Sequence, residues 1–140
     1  MEAKATWQSD MSFIGTADTG FEVRMDASEA SGGHNSGFRP TELLAMGTAG
    51  CTGMDVISIL RKKRAEVKGL EVRVHVDQAE TYPHVFTKMQ IEYVVTGHNI
   101  KRADVERAVE LSKEKYCPCI AMFKQVVEME YLITIHEVEA

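Results

Sequence analysis

At 140 residues, 44% hydrophobic and 26% charged, the chain reads as a single globular domain over residues 1–140. A net charge of −5 and a pI near 5.5 argue against nucleic acid as a partner, because phosphate binding needs a clustered cationic surface. The opening MEAKATWQSD has no apolar h-region, and no stretch reads as the roughly 20 apolar residues of a membrane span, so a cytoplasmic protein with no membrane partner is expected.

In chain order, residues 3–9, 12–17 and 21–26 predict three short strands. Phe21, Val23 and Met25 alternate with Glu22, Arg24 and Asp26, giving one apolar and one solvated face. Asp18-Thr19-Gly20 supplies the turn before the third strand. Residues 28–39 are a Gly- and Ser-rich loop. Pro40 suits the first position of a helix, where its missing N–H has no intrahelical partner to lose. That helix is expected from Pro40 to Arg64 and, being apolar or small from Leu43 to Leu60, to be buried on most sides. Gly47, Gly50 and Gly53 each cost roughly 1 kcal/mol against alanine there, so another backbone is expected to approach them closely. The basic run Arg61-Lys62-Lys63-Arg64 complements the carbonyl end of the helix dipole.

Leu70 to Ala79 and Val85 to Thr96 alternate as two long strands joined around Pro83. Residues 101–115 predict an amphipathic helix with Val105, Ala108 and Val109 on one face. Pro118 opens a short helix through about Val127, and Met129 to Val138 forms a last strand. The fold class is α+β, with mostly antiparallel sheet packed on a long buried central helix.

Three cysteines are an odd number for a disulfide framework, so free thiols are the expectation. Cys51 lies mid-helix, where a cysteine commonly serves as a small hydrophobe and where the helix dipole gives it no help. Cys117 differs. In Tyr116-Cys117-Pro118-Cys119 the proline sets a helix start, putting Cys117 at the N-cap and Cys119 in the first turn. Free N–H groups and positive potential there favour a thiolate. A Cys117–Cys119 disulfide would be strained.

The stretch Pro40-Thr41-Glu42-Leu43-Leu44-Ala45-Met46-Gly47-Thr48-Ala49-Gly50-Cys51-Thr52, followed about 65 residues later by Glu114-Lys115-Tyr116-Cys117-Pro118, resembles the osmotically inducible protein C and organic hydroperoxide resistance (OsmC/Ohr) family. Asp55 to Leu60 and Phe86 to Gly97 resemble its YhfA-like branch more narrowly. The resemblance implies an intertwined homodimer with two sites at the subunit interface. It also implies a thiol peroxidase that reduces organic hydroperoxides without a cofactor, with Cys51 peroxidatic, Cys117 resolving, and a cellular dithiol restoring both. Cys119 has no fixed role in the family. It is a helix-packing residue or a competing resolving thiol.

Characterised hydroperoxide reductases of the family activate the cysteine with an N-terminal arginine and a glutamate near the start of the long helix. Here Thr41 stands where that glutamate falls, and Glu42 is the nearest carboxylate. Nine residues of helix, roughly 13–14 Å of rise and half a turn of phase, separate Glu42 from Cys51, so it reaches a thiol only from a partner subunit. Gln8-Ser9-Asp10-Met11 occupies the arginine's region, leaving Arg24 and Arg39 as candidates. Arg24 also reads as solvated strand face, and Glu42 as a helix-start carboxylate. Asp55, one turn after Cys51, is expected to pair with an arginine or face away, because a free carboxylate would oppose thiolate formation. His34 lies in the loop and can approach the site. Two other functions compete. One is non-enzymatic binding of a hydrophobic ligand in the dimer groove. The other is a soft-metal site built from Cys51, Cys117 and Cys119, with His34.

Overall fold

Alternation of side chains gives the first part of the chain an antiparallel sheet of three strands, β1 (Ala3–Ser9), β2 (Ser12–Ala17) and β3 (Glu22–Met25), in that spatial order. The computed structural model describes residues 1–140, which divide into two units, Met1–Leu44 and Ala45–Ala140. At the turn into β3, Gly20 takes φ +85°, a left-handed conformation that glycine adopts freely, and its N–H donates to the Ala17 carbonyl.

Asp26 departs from the alternation. The pattern puts it on the solvated face, yet it is 3% exposed. Its Oδ2 accepts from Ser36 Oγ at 2.7 Å and from the backbone N–H groups of His34 and Ser36, while Oδ1 accepts from Ala27 N–H. The Ser36 hydroxyl is the largest of the influences holding this carboxyl far below the usual carboxylate range; the backbone donors add to it against the opposing effect of burial. The expected loop over 28–39 is thus wound on one buried carboxylate, with a single 3-10 turn at Glu29–Ser31. Gly33 is required beside it, since a Cβ there would lie 2.1 Å from the Ala27 carbonyl oxygen.

The second unit holds most of helix α1 (Pro40–Lys62), strands β4 (Glu66–Gln78) and β5 (Phe86–His98), helices α2 (Arg102–Leu111) and α3 (Pro118–Phe123), and strand β6 (Glu128–Glu137). The sheet order is β4-β5-β6. The β4–β5 pair is antiparallel and the β5–β6 pair parallel, the latter allowed by the helical crossover through α2 and α3. Register stacks apolar residues in rows across the inner face: Leu70, Val95 and Ile135; Val72, Tyr93 and Ile133; Val74, Ile91 and Tyr131; Val76, Met89 and Met129. Against these pack Val56 and Leu60 of α1, Val105, Ala108 and Val109 of α2, and Ile120 of α3. Fully burying a side chain such as Val56 or Leu60 contributes roughly 1.5–3 kcal/mol. The chain is therefore mixed α+β with mostly antiparallel pairing and a long central helix.

Strand β4 begins four residues before the expected Leu70. A register shift between Val67 and Gly69 breaks the two-residue period, so simple alternation becomes readable only after it. Helix α2 ends at Leu111, and Ser112–Tyr116 continues as a π-helical turn in which Cys117 N–H donates to the Ser112 carbonyl at 2.8 Å.

Helix α1 differs from expectation in two ways. It is not buried on most sides: Thr48, Thr52, Val56 and Leu60 form one narrow buried stripe, while Met46 and Met54 are exposed. A Cβ added at Gly47 or Gly50 would meet nothing within 4 Å outside the helix's own backbone, and one at Gly53 would meet only the Val72 side chain, at 3.3 Å. The close-packed helix that the glycines suggest is absent from this chain. In addition, α1 is long and apolar enough by length and composition to cross a membrane, which corrects the expectation that no segment is. Its buried threonines and its packing on the sheet are those of a core helix.

Candidate active site

Two helices bring the thiols of the second unit together. Cys51 is half-buried on α1, beside the stripe of Thr48, Thr52 and Val56. Cys117 caps α3, with Pro118 in its first turn, and Cys119 follows within that turn. Cys51, Cys117 and Cys119 belong to one packed cluster, and the Cys51 thiol acts on both of the others, raising each. All three cysteines are free thiols.

The predicted cap forms, because Ile120 N–H donates to Cys117 Sγ at 3.4 Å. Its predicted consequence does not. Cys117 is 2% exposed, and burial pushes its thiol up to about 12, outweighing the Ile120 N–H, while the adjacent Cys51 thiol adds to the rise. Desolvation of a charge costs more here than the weak N–H···S interactions of Ile120 and Cys119 return. Cys119, half-buried, is also raised, chiefly by burial and by Cys51; the Thr48 hydroxyl and the Cys117 thiol act the other way.

Beside the thiols runs a buried polar chain. Ser112 Oγ donates to Asp55 Oδ2 at 2.8 Å, and Thr52 Oγ1 lies 2.7 Å from Ser112 Oγ and 2.8 Å from the Tyr93 hydroxyl. Each hydroxyl has one hydrogen, so the direction is fixed once Ser112 gives its own to Asp55: Thr52 donates to Ser112, and Tyr93 donates to Thr52. Burial pushes the Tyr93 phenol up, which keeps it a donor. Asp55 is thus held by a serine rather than by an arginine. No buried side-chain nitrogen or oxygen lacks a partner. The network spans the residues flanking Cys51 and, through the Ser112 carbonyl, the backbone of Cys117.

Sequence patterning held a signal for these residues. Ser112 falls at the next core position after Val105, Ala108 and Val109, where a polar side chain needs a buried partner. Thr48 and Thr52 sit four apart on the same face of a largely apolar helix.

The remaining candidates lie in the first unit. Arg24, on β3, is exposed and pairs across the sheet with Ile14, as a solvated strand face requires. Arg39 N–H donates to Glu42 Oε1 at 2.8 Å, the reciprocal arm of a capping box, and the Arg39 guanidinium binds Asn35 Oδ1. Glu42 therefore works as a helix-start carboxylate. His34 Nε2 meets Asp10 Oδ2 at 2.8 Å in an exposed pair. No group of three or more His, Cys, Asp or Glu side chains is arranged to hold a metal ion.

A family model described as OsmC-like protein matches residues 33–131, a span that includes both the α1 and the α3 cysteines. Protein YhfA of Escherichia coli (strain K12) is 35% identical over 134 residues, covering 94% of this chain and 95% of its own length. The chain belongs to the OsmC family. Among solved structures, a hypothetical protein from Aquifex aeolicus VF5 superposes with a TM-score of 0.86 at 30% identity, over 99% of this chain and 97% of that one. The organic hydroperoxide resistance protein OhrB of Bacillus subtilis superposes with a TM-score of 0.61 at 22% identity, over 95% and 98%, a likeness of fold. Thus the thiol pair sits on an OsmC fold that is also the fold of a hydroperoxide resistance protein.

Proposed function

We propose that the chain is a thiol-dependent peroxidase for organic hydroperoxides, part of an oxidative stress defence. The single observation that supports this is that Cys51 of α1 and Cys117 at the start of α3 pack in one cluster as free thiols, with a satisfied network of hydroxyls alongside. The Cys51 sulfur attacks the O–O bond, releasing an alcohol and leaving a sulfenic acid. Cys117 then displaces hydroxide, which leaves as water with the Cys117 proton, and a Cys51–Cys117 disulfide forms. A cellular dithiol reduces that disulfide by exchange. Because the attacking species is the thiolate, Cys51 needs an activating group.

The whole chain, residues 1–140, acts as one OsmC-like domain within a homodimer, and the second copy supplies the activating side chain, with Glu42, Arg24 and Arg39 as candidates. Support for the dimer comes from α1. Its Gly47 and Gly50 face open space, Met54 is 73% exposed, and a groove of about 560 Å³ runs between Gly50, Gly53, Met54 and Ile57 of α1 and Leu70 and Val72 of β4. An apolar helix face of that kind is what a second copy would cover. A cytoplasmic setting, where dithiol reductants operate, fits this chemistry.

The groove also favours a second reading, non-enzymatic binding of a hydrophobic ligand, since Cys51 does not line it. Turnover separates the two. With a dithiol reductant, the wild type is expected to consume cumene hydroperoxide and Cys51→Ser to lose at least 100-fold in rate. Ligand binding that survives Cys51→Ser, in a wild type without turnover, favours the second reading.

A further inference from the structure

We propose that Ser112 and Asp55 are positioning residues for the resolving step, together fixing the backbone of Cys117 relative to α1, the helix that carries Cys51. This rests on the peroxidase reading and goes beyond it, because it assigns a role to two side chains outside the cysteine pair. The hydrogen bonds carry it. Ser112 is fully buried, and each of its polar groups serves a different helix. Its N–H donates to the Ala108 and Val109 carbonyls at the end of α2, and its carbonyl accepts from Cys117 N–H at 2.8 Å. Its hydroxyl meets two residues of α1, Thr52 at 2.7 Å and Asp55 at 2.8 Å. Thr52 directly follows Cys51, so the anchor stands on the turn that carries the nucleophile.

The π-helical turn makes this anchoring possible. In an α-helix the Cys117 N–H would donate four residues back, to Lys113; here it reaches five back, to Ser112. Cys117 then leaves helical geometry, at φ −82° and ψ 109°, and caps α3 with Ile120 N–H on its sulfur at 3.4 Å. One residue thus ends α2, holds α1 and sets where α3 begins. Position matters most in the second chemical step. Attack on the peroxide uses Cys51 alone. Closure needs the Cys117 sulfur in line with the Cys51 S–O bond: that bond breaks, the S–S bond forms, and the Cys117 proton leaves with the hydroxide as water. Fixed orientation of two reacting groups raises such a rate by orders of magnitude, so loosening the anchor slows closure and spares the first step. Asp55 serves here as an acceptor rather than as a charge, a part that a carboxamide oxygen can also play.

The test is rapid-quench peptide mapping after one equivalent of cumene hydroperoxide, with wild type, Ser112→Ala, Asp55→Ala and Asp55→Asn in parallel. Sulfenic acid formation at Cys51, trapped with dimedone, is expected to stay within about twofold in all four. Closure on Cys117 is expected to fall at least 5-fold in S112A and D55A and to remain near the wild-type rate in D55N. Asp55 is half-buried, so D55A carries the test if S112A does not fold. Closure at the wild-type rate in D55A, or a loss in D55N as large as in D55A, overturns the positioning role and leaves the peroxidase reading standing. Unmodified thiols in wild type overturn the peroxidase reading, and the resolving step with it. Amide hydrogen exchange needs no peroxide. In D55A the Cys117 N–H is expected to exchange at least 10-fold faster beyond any change at the β5 amides of Tyr93 and Val95, with D55N close to wild type. An acceleration shared equally by the β5 amides marks a role in global stability alone and also overturns the proposal.

Discussion

Ser112 gives its one hydrogen to Asp55 and receives one from Thr52, so removing its hydroxyl leaves the buried Thr52 hydroxyl without an acceptor and the half-buried Asp55 without a donor. An unsatisfied buried polar group costs about 1–3 kcal/mol, and Ser112→Ala is expected to lose stability in that range, read by urea unfolding of the reduced protein. A loss within error would mean that water replaces the hydroxyl. The same variant is expected to form the Cys51–Cys117 disulfide more slowly while sulfenic acid formation keeps its rate, because the Ser112 hydroxyl anchors the residue whose carbonyl accepts from Cys117 N–H. Cys117 also carries a pH signature. Its thiol stands at about 12 in the folded chain against 9.0 for an unperturbed one, so the folded state keeps a proton that the unfolded chain releases between those values. The stability from that proton is present in full below pH 9 and is lost as the pH rises toward 12. Unfolding measured between pH 8 and 11 should show a slope that Cys117→Ser flattens, and equal slopes would count against the burial argument.

Among the elements, the loop after β3 depends most on a single side chain. Asp26 has a depressed carboxyl, so its contribution is present above its ordinary value of 3.8 and is lost as the pH falls below it. Asp26→Asn is expected to lower the thermal midpoint at pH 7 and to reduce the acid sensitivity below pH 4, both readable by circular dichroism. Loop composition alone announced the glycines and serines of this segment, but not that they converge on a buried acid. A carboxylate on the polar side of a strand is ordinarily solvated, and only the fold of residues 27–36 around it changes that. The strands and helices were legible, since alternation and Pro-started helices are local signals. The parallel β5–β6 pair, the β4 register shift and the π-helical turn were not, because each is decided by contacts distant in sequence. For the site, the two cysteine positions could be read directly, whereas the cap at Cys117 misled on charge. A sequence shows the N–H groups of a helix start but not the burial that outweighs them.

For the molecule as a whole, α1 poses the main question, since it presents Met46, Met54, Gly47 and Gly50 outward with nothing in the chain to cover them. The proposed homodimer would answer it. Sedimentation is expected to give twice the 15.6 kDa chain mass, and Met54→Glu should move the protein toward monomer with peroxide turnover reduced at least 10-fold. A wild type that sediments as a monomer at micromolar concentration would remove the source proposed for the activating side chain. The proposed function makes Cys51 the centre of the chemistry, and mass spectrometry of the fully reduced protein after one equivalent of cumene hydroperoxide, with no reductant present, tests that most directly. The expected product has lost two hydrogens and carries a disulfide that includes Cys51, with its partner on α3. Three unmodified thiols with the hydroperoxide in excess would contradict it.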